Sequence, residues 1–384
     1  MEEFNFDEIV NREDTNSSKY DEAFDLYKRK NLDILSVADM EFKTADCIKN
    51  AIIDKVNKGI LGYTSRPKKY FESYVTWYEK NYDFKFDVDC MVHCPGVISG
   101  MRVVIETFTK EHDKILIFEP VYASFKRIVG NTNRDIVISE LKNENGKFVI
   151  DFDDFYRKIR DVKVAIICNP HNPLGRSWTS EELKKIANIC REYNVLVISD
   201  EIHADLTLFN NKHHVFRKYY ENTITFISST KTFNLSGIQA SVCVLRNKEE
   251  ASIYFEEWRK KDIYRPNAIA IEAIMAAHRG ATLWLDNLKK YIEQNLLFID
   301  EFLKENLPNV KFFIPEATYL CFIDLRSLGI PEKQMQDILV NKANLVVVMG
   351  SVFGESGQGY IRLNAACSRK KLERVLKNML KALG

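Results

Sequence analysis

Three apolar runs in the middle of the chain leave few folds open to it. Residues 162–168 (VKVAIIC), 195–199 (VLVIS) and 224–228 (ITFIS) are almost continuously hydrophobic. The first two lack the polar alternation of a strand with one wet face, while the third, read from Thr223 to Ile227, alternates like a half-buried strand. Shorter runs of the same kind stand at 114–118, 134–138 and 240–245. Between them lie helical stretches at 122–130 and 180–193, the second opened by a capping box of Thr179 and Glu182. Strands apolar on both faces and separated by helices imply an α/β fold, a mostly parallel central sheet covered by helices on each side. From about residue 266 the texture changes. A long helical pattern (283–306), three short strands (VKFFI, YLCFIDL, NLVVVM) and an amphipathic helix at 369–383 follow. The expected division is a large domain over 46–285, with 1–45 and 286–384 forming a smaller α+β domain.

Bulk composition excludes several functions. With 55 basic and 54 acidic residues the net charge is +1, so there is no basic field to recruit nucleic acid or a membrane surface. No apolar stretch is long enough for a bilayer. The acidic start, Met1-Glu2-Glu3-Phe4, carries no signal-peptide pattern. Eight scattered cysteines, several inside apolar runs, fit the free thiols of a cytoplasmic protein. Cys90-Met91-Val92-His93-Cys94 has a metal-like flavour but no second ligand pair, so no metal is expected.

Chemistry concentrates where the apolar runs end, which in open α/β sheets is where ligands bind. The first run ends in Asn169-Pro170-His171-Asn172-Pro173-Leu174-Gly175, the second in Asp200-Glu201-Ile202-His203, the third in Ser228-Ser229-Thr230-Lys231-Thr232. Singly these are ordinary. An asparagine beside proline forms turns, and a lysine among hydroxyls decorates loops. Together they bring an amide, a carboxylate and an amine to one rim. That set suits holding a cationic aromatic ring and forming a Schiff base with it.

The segments NPHNPLG, SDEIHAD and SSTKTFNLSG resemble the signatures of fold-type I pyridoxal-phosphate (PLP) enzymes, the class I/II aminotransferase superfamily. VADMEF (37–42), LGYTS (61–65), SDEIH (199–203) and YIRLNAAC (360–367) further resemble the bacterial cystathionine β-lyase or C–S lyase branch, the MalY/PatB group. The resemblance runs from about residue 4 to the C-terminus and places the cofactor in the large domain. It implies that Lys231 forms the Schiff base with PLP. Ser228, with Thr230 beside it, would bond the phosphate. Asp200 would face the pyridine nitrogen, and Asn172 the phenolic oxygen. His203 stands where many aminotransferases carry a tyrosine. Gly96, Val97 and Ile98, at the head of an apolar helix read as 101–108, would offer backbone N–H groups to the phosphate. Tyr122 would stack on the ring. Tyr63 would reach the phosphate of a neighbouring subunit, which implies a homodimer with shared sites. Arg362 would grip the α-carboxylate of an amino-acid substrate. Gln239 departs from the arginine that many aminotransferases place eight residues after the lysine, as the lyase branch does. The implied activity is α,β-elimination from L-cystathionine, L-cysteine or related cysteine S-conjugates, giving a thiol, pyruvate and ammonia. An aminotransferase would use the same residues. A regulatory or binding protein on the same scaffold would have little need of intact Lys231, Asp200 and Arg362.

Overall fold

The structure, a computed structural model, describes residues 4–383; Met1 to Glu3 of the acidic start and Gly384 lie outside the described residues. Eight strands form the central sheet. In spatial order they are Met91–Cys94, Ser241–Val244, Thr223–Ile227, Leu196–Asp200, Val162–Cys168, Lys114–Glu119, Asp135–Glu144 and Lys147–Ile150. The five from Thr223–Ile227 to Asp135–Glu144 are mutually parallel, so their carboxyl ends share one rim. The three apolar runs occupy three neighbouring positions in it and are buried along nearly their whole length. The capping box at Thr179 and Glu182 starts the helix Ser180–Glu192.

Several boundaries differ from the sequence expectation. The run 240–245 is a strand, Ser241–Val244, but pairs antiparallel on both sides. The strand at Asp135 extends to Glu144 and turns back as a hairpin, with Asn145 and Gly146 at φ 54° and 97° in its turn. Asn-Gly is the pair that tolerates this left-handed geometry best. The stretch NLVVVM is two strands in different sheets. Leu345–Val346 pairs with Asp33–Ile34 near the N-terminus, while Val348–Met349 pairs with Tyr360–Asn364. The latter belong to a four-stranded antiparallel sheet with Lys311–Phe312 and Leu320–Asp324. The helix expected from 122 begins at Ser124. The long helix read as 283–306 spans Thr282–Asn306.

The helix read as 101–108 starts four residues earlier, at Val97. Gly96 occupies its N-cap with extended backbone and no side-chain cap, so the stretch carries no side-chain start signal. Gly100 lets this helix lie close on the sheet: a Cβ there would come within 2.5 Å of Phe226 Cε1. The helix therefore presents its first turn at the same rim as the strand tips. No helix among the described residues is long and apolar enough to cross a membrane.

Candidate active site

A cavity of about 880 Å³ opens at the carboxyl ends of the parallel strands. Asp200 is the last residue of its strand, and Asn172 and Lys231 lie in the loops that follow the neighbouring strands. All three line the cavity, with His203 and Thr230 beside them. Gly96, Val97 and Ile98 contribute the uncapped helix start, and Tyr122 is fixed by a bond from its N–H to the Asn172 carbonyl (3.0 Å). Arg362 enters from the four-stranded sheet, far along the chain, and completes the wall.

Two of the residues singled out from the sequence do not reach this wall. Ser228 is buried beneath it, its hydroxyl bonded to the Ala240 carbonyl (2.7 Å) and to Thr230 Oγ1 (2.8 Å). Tyr63 stands away on the surface, 92% exposed, with Arg265 over its ring.

The segment 36–38 contributes through its backbone. Lys231 Nζ donates to the Ala38 carbonyl at 2.7 Å, and Arg362 donates to the Ser36 carbonyl at 2.7 Å and to Asn172 Oδ1 at 3.0 Å. VADMEF carried resemblance but no side chain with evident chemistry, and main-chain carbonyls leave no residue-type signal. Asn234, at φ 56°, ties the lysine loop to the same segment by accepting from the Met40 N–H and donating to the Met40 and Phe42 carbonyls. The rest of the wall mixes apolar residues, among them Val37, Ile263 and Val348, with the polar side chains of Ser99, Ser236, Gln239 and Ser241.

The sequence from residue 31 to 379 matches the family model for aminotransferase class I and II. The chain belongs to that family. Within it, the chain is 33% identical over 385 residues to the cystathionine beta-lyase PatB of Bacillus subtilis, covering 99% of this chain and 100% of PatB. Its structure is similar to that of a PLP-bound C-S lyase from Staphylococcus hominis, with a TM-score of 0.94, 32% identity and 100% and 98% coverage of the two chains. It is also similar to a PLP-bound protein of Clostridium difficile 630 classed as an aminotransferase, with a TM-score of 0.97, 39% identity and complete coverage of both.

The charged groups of this family member's cavity are buried without opposite partners at contact distance. Burial pushes the Asp200 carboxyl up to about 7; the backbone N–H of Ile202, 3.1 Å away, and the more distant Lys231 oppose that only in part. Burial brings the Lys231 amine down to about 8; Asp39 and Asp200 pull it up and Arg362 presses it further down. Burial lowers Arg362 to about 10, which leaves it charged at neutral pH. His203 is held neutral, its value brought to about 3 by burial and by the cations Lys231 and Arg362. His203 Nδ1 and Arg362 Nε are buried with no hydrogen-bond partner among the described residues.

Proposed function

We propose that this chain is a PLP-dependent C–S β-lyase that cleaves L-cystathionine, L-cysteine or related cysteine S-conjugates to a thiol, pyruvate and ammonia. The observation that carries the reading is the Lys231 amine, lowered to about 8 in a cavity whose other ionisable walls include Asp200 and Arg362. The relationship to PatB and to the Staphylococcus C-S lyase supports the choice of reaction.

The residues present fit the cofactor. Nothing in the polypeptide requires glycine at 96, where a Cβ would meet only Ser99 Oγ at 3.6 Å. The missing side chain, the uncapped helix start and Thr230 suit a phosphate. Asp200, a buried carboxylate lacking a contact cation, suits a protonated ring nitrogen. Tyr122 suits the ring face, Asn172 and His203 suit the phenolic oxygen, and Ser228 supports Thr230 from below. When bound, PLP supplies an electron sink that makes the substrate Cα–H acidic.

Each residue of the chain then has a defined task. Arg362 clamps the α-carboxylate with its guanidinium edge, since its present partners are a neutral amide and a backbone carbonyl. With a value near 8, about a tenth of Lys231 is neutral at pH 7, enough to act as nucleophile and then as base. Lys231 Nζ takes the proton from Cα, the Cβ–S bond breaks with its electron pair leaving on sulfur, and the lysine ammonium returns the proton to the departing thiolate. The released enamine of the three-carbon fragment takes up water and loses ammonia as pyruvate. Asp200 would set its carboxylate against the ring nitrogen of the bound cofactor, and a cationic partner there would favour its ionised form.

The same reading includes a homodimer in which Tyr63 serves the neighbouring site, a cytoplasmic location, and a large domain at 46–285 closed against 1–45 and 286–384. The high exposure of Tyr63 supports the first, and the pairing of Asp33–Ile34 with Leu345–Val346 supports the last. An aminotransferase is the second reading, favoured by the likeness to the Clostridium protein. Incubation with L-cystathionine and simultaneous assay of pyruvate and free thiol decides between them. Equimolar appearance of both supports the lyase. Conversion of an added 2-oxo acid without thiol release supports the aminotransferase.

A further inference from the structure

Lys231 sits in a turn that belongs to no helix or strand, four residues beyond the end of the strand Thr223–Ile227. Its position is set by whatever holds that turn. Two partly buried side-chain contacts flank it. On one side Ser229 Oγ lies 2.7 Å from His278 Nε2, and on the other Thr232 Oγ1 donates to Asp205 Oδ2 at 2.7 Å.

Both contacts are anchored on the helix Lys68–Tyr82. His278 Nδ1 lies 3.0 Å from Ser73 Oγ, whose own proton goes to the Tyr70 carbonyl at 2.7 Å. The serine therefore accepts, the imidazole carries its proton on Nδ1, and Nε2 is left as an acceptor for the Ser229 hydroxyl. Burial keeps this imidazole neutral, which the acceptor role requires. Trp77 stacks on His278, with ring centroids 5.2 Å apart and planes at 23°. Its Nε1–H donates to Asp205 Oδ1 at 2.8 Å, and the Tyr82 hydroxyl donates to the same oxygen. Three donors thus converge on one partly buried carboxylate, which only an acceptor-only side chain satisfies.

We propose that His278 and Asp205 are positioning residues that pin the turn through Ser229 and Thr232, so that Lys231 Nζ is presented at the cavity wall against the Ala38 carbonyl. Neither residue lines the cavity. The inference rests on the reading of Lys231 as the attachment lysine.

The test uses the holoenzyme and four substitutions: His278→Asn, His278→Gln, Ser229→Ala and Asp205→Asn. Cofactor affinity is read by absorbance titration, kcat and KM with L-cystathionine, and fold by thermal midpoint. An asparagine amide reaches the Nδ1 position and keeps the Ser73 bond but not the Ser229 bond. A glutamine Oε1 reaches the Nε2 position and keeps the acceptor. His278→Asn and Ser229→Ala should each weaken cofactor binding about tenfold and lower kcat about tenfold, with KM little changed, the loss expected from one unmade bond beside a buried partner. Asp205→Asn should do the same, and His278→Gln should recover affinity and kcat to within about threefold of the parent. If His278→Asn does not fold, Ser229→Ala carries the same test with only a hydroxyl removed. Parental affinity and kcat in Ser229→Ala and Asp205→Asn would overturn the proposal. So would His278→Gln as impaired as His278→Asn, since ring packing would then be the cause. Borohydride reduction of the parent separates the two readings. A label away from Lys231 defeats the attachment assignment, whereas a label on Lys231 with unaffected variants defeats the pinning alone.

Discussion

Lys19 and Lys231 are both enclosed lysines, and they meet opposite surroundings. Lys19 lies 2.5 Å from Glu41 and 3.3 Å from Asp39, with its side chain wholly covered. Lys231 has one close partner, the carbonyl of Ala38. A single segment, 38–41, serves both. Its carboxylates face the N-terminal cluster, where Arg12 also pairs with Asp39 at 2.7 Å, and one of its carbonyls faces the cavity. In the first cluster the Glu41 carboxyl is pulled down to about 2, its burial outweighed by Lys19 and Lys371. Separation does the reverse in the second: Asp200 rises to about 7 and Lys231 falls to about 8. Buried charges held apart are costly to fold around, and that cost is what makes them reactive near neutral pH.

The contrast breaks most completely at Lys231. Lys231→Ala should lower turnover at least about 10³-fold, because nucleophile and base vanish together. Borohydride should then fix no cofactor to the protein, as judged by mass spectrometry. Asp200→Ala should cost about 10²–10³ in kcat with the thermal midpoint preserved, the scale of losing one preorganised charge. Turnover near the parental value would remove Asp200 from the site. A pH series sharpens this point. Asp200 binds its proton more tightly folded than unfolded. Its contribution to the stability of cofactor-stripped protein is therefore full below about 4, its ordinary range, and is lost as pH rises through about 7. Asp200→Asn should flatten that slope between pH 4 and 7 in urea titrations.

In the paired cluster the expected effect is on stability alone. Glu41→Gln removes the nearer of the two carboxylates beside Lys19 and leaves Asp39 at 3.3 Å, so it should destabilise by about 1–3 kcal/mol, with kcat per folded molecule unchanged. The depressed value of Glu41 means that its contribution is present above about 4.5 and disappears as pH falls through about 2. The smallest effect is expected at Tyr63. Tyr63→Phe should loosen cofactor binding about tenfold, the worth of one charge-assisted bond. Mixing Tyr63→Phe chains with Lys231→Ala chains tests whose site it serves. If the tyrosine acts across the interface, hybrid dimers regain one site of full affinity and turnover. A fully active monomer would end the shared-site reading.

The rim of the sheet was legible in the sequence because its strands are apolar on both faces and end abruptly in Asn172, Asp200 and Lys231. Nothing local competes with that pattern. The strand pairing of 240–245 and the splitting of NLVVVM were not legible, since antiparallel partners and the choice of sheet depend on residues far away in the chain. The Asn145-Gly146 hairpin carried a local signal in its turn residues that the apolar pattern overshadowed. The helix start at Val97 escaped because its cap is a glycine with no side-chain signature. His278 and Asp205 escaped for a deeper reason. A histidine on an apolar helix and an aspartate just past a strand tip acquire meaning only when folding brings Ser229 and Thr232 to them.

The two enclosed lysines can be compared in one experiment. Cofactor-stripped protein is pulse-labelled with an amine-directed reagent across pH 6 to 11, and each lysine is quantified by peptide mass spectrometry. The expected result is that Lys231 labels with a midpoint near 8, below the surface lysines, while Lys19 stays unlabelled throughout because its amine is enclosed and paired. A Lys231 midpoint at the ordinary lysine value of about 10.4 would contradict the account, because a fully charged amine there could serve as neither nucleophile nor base.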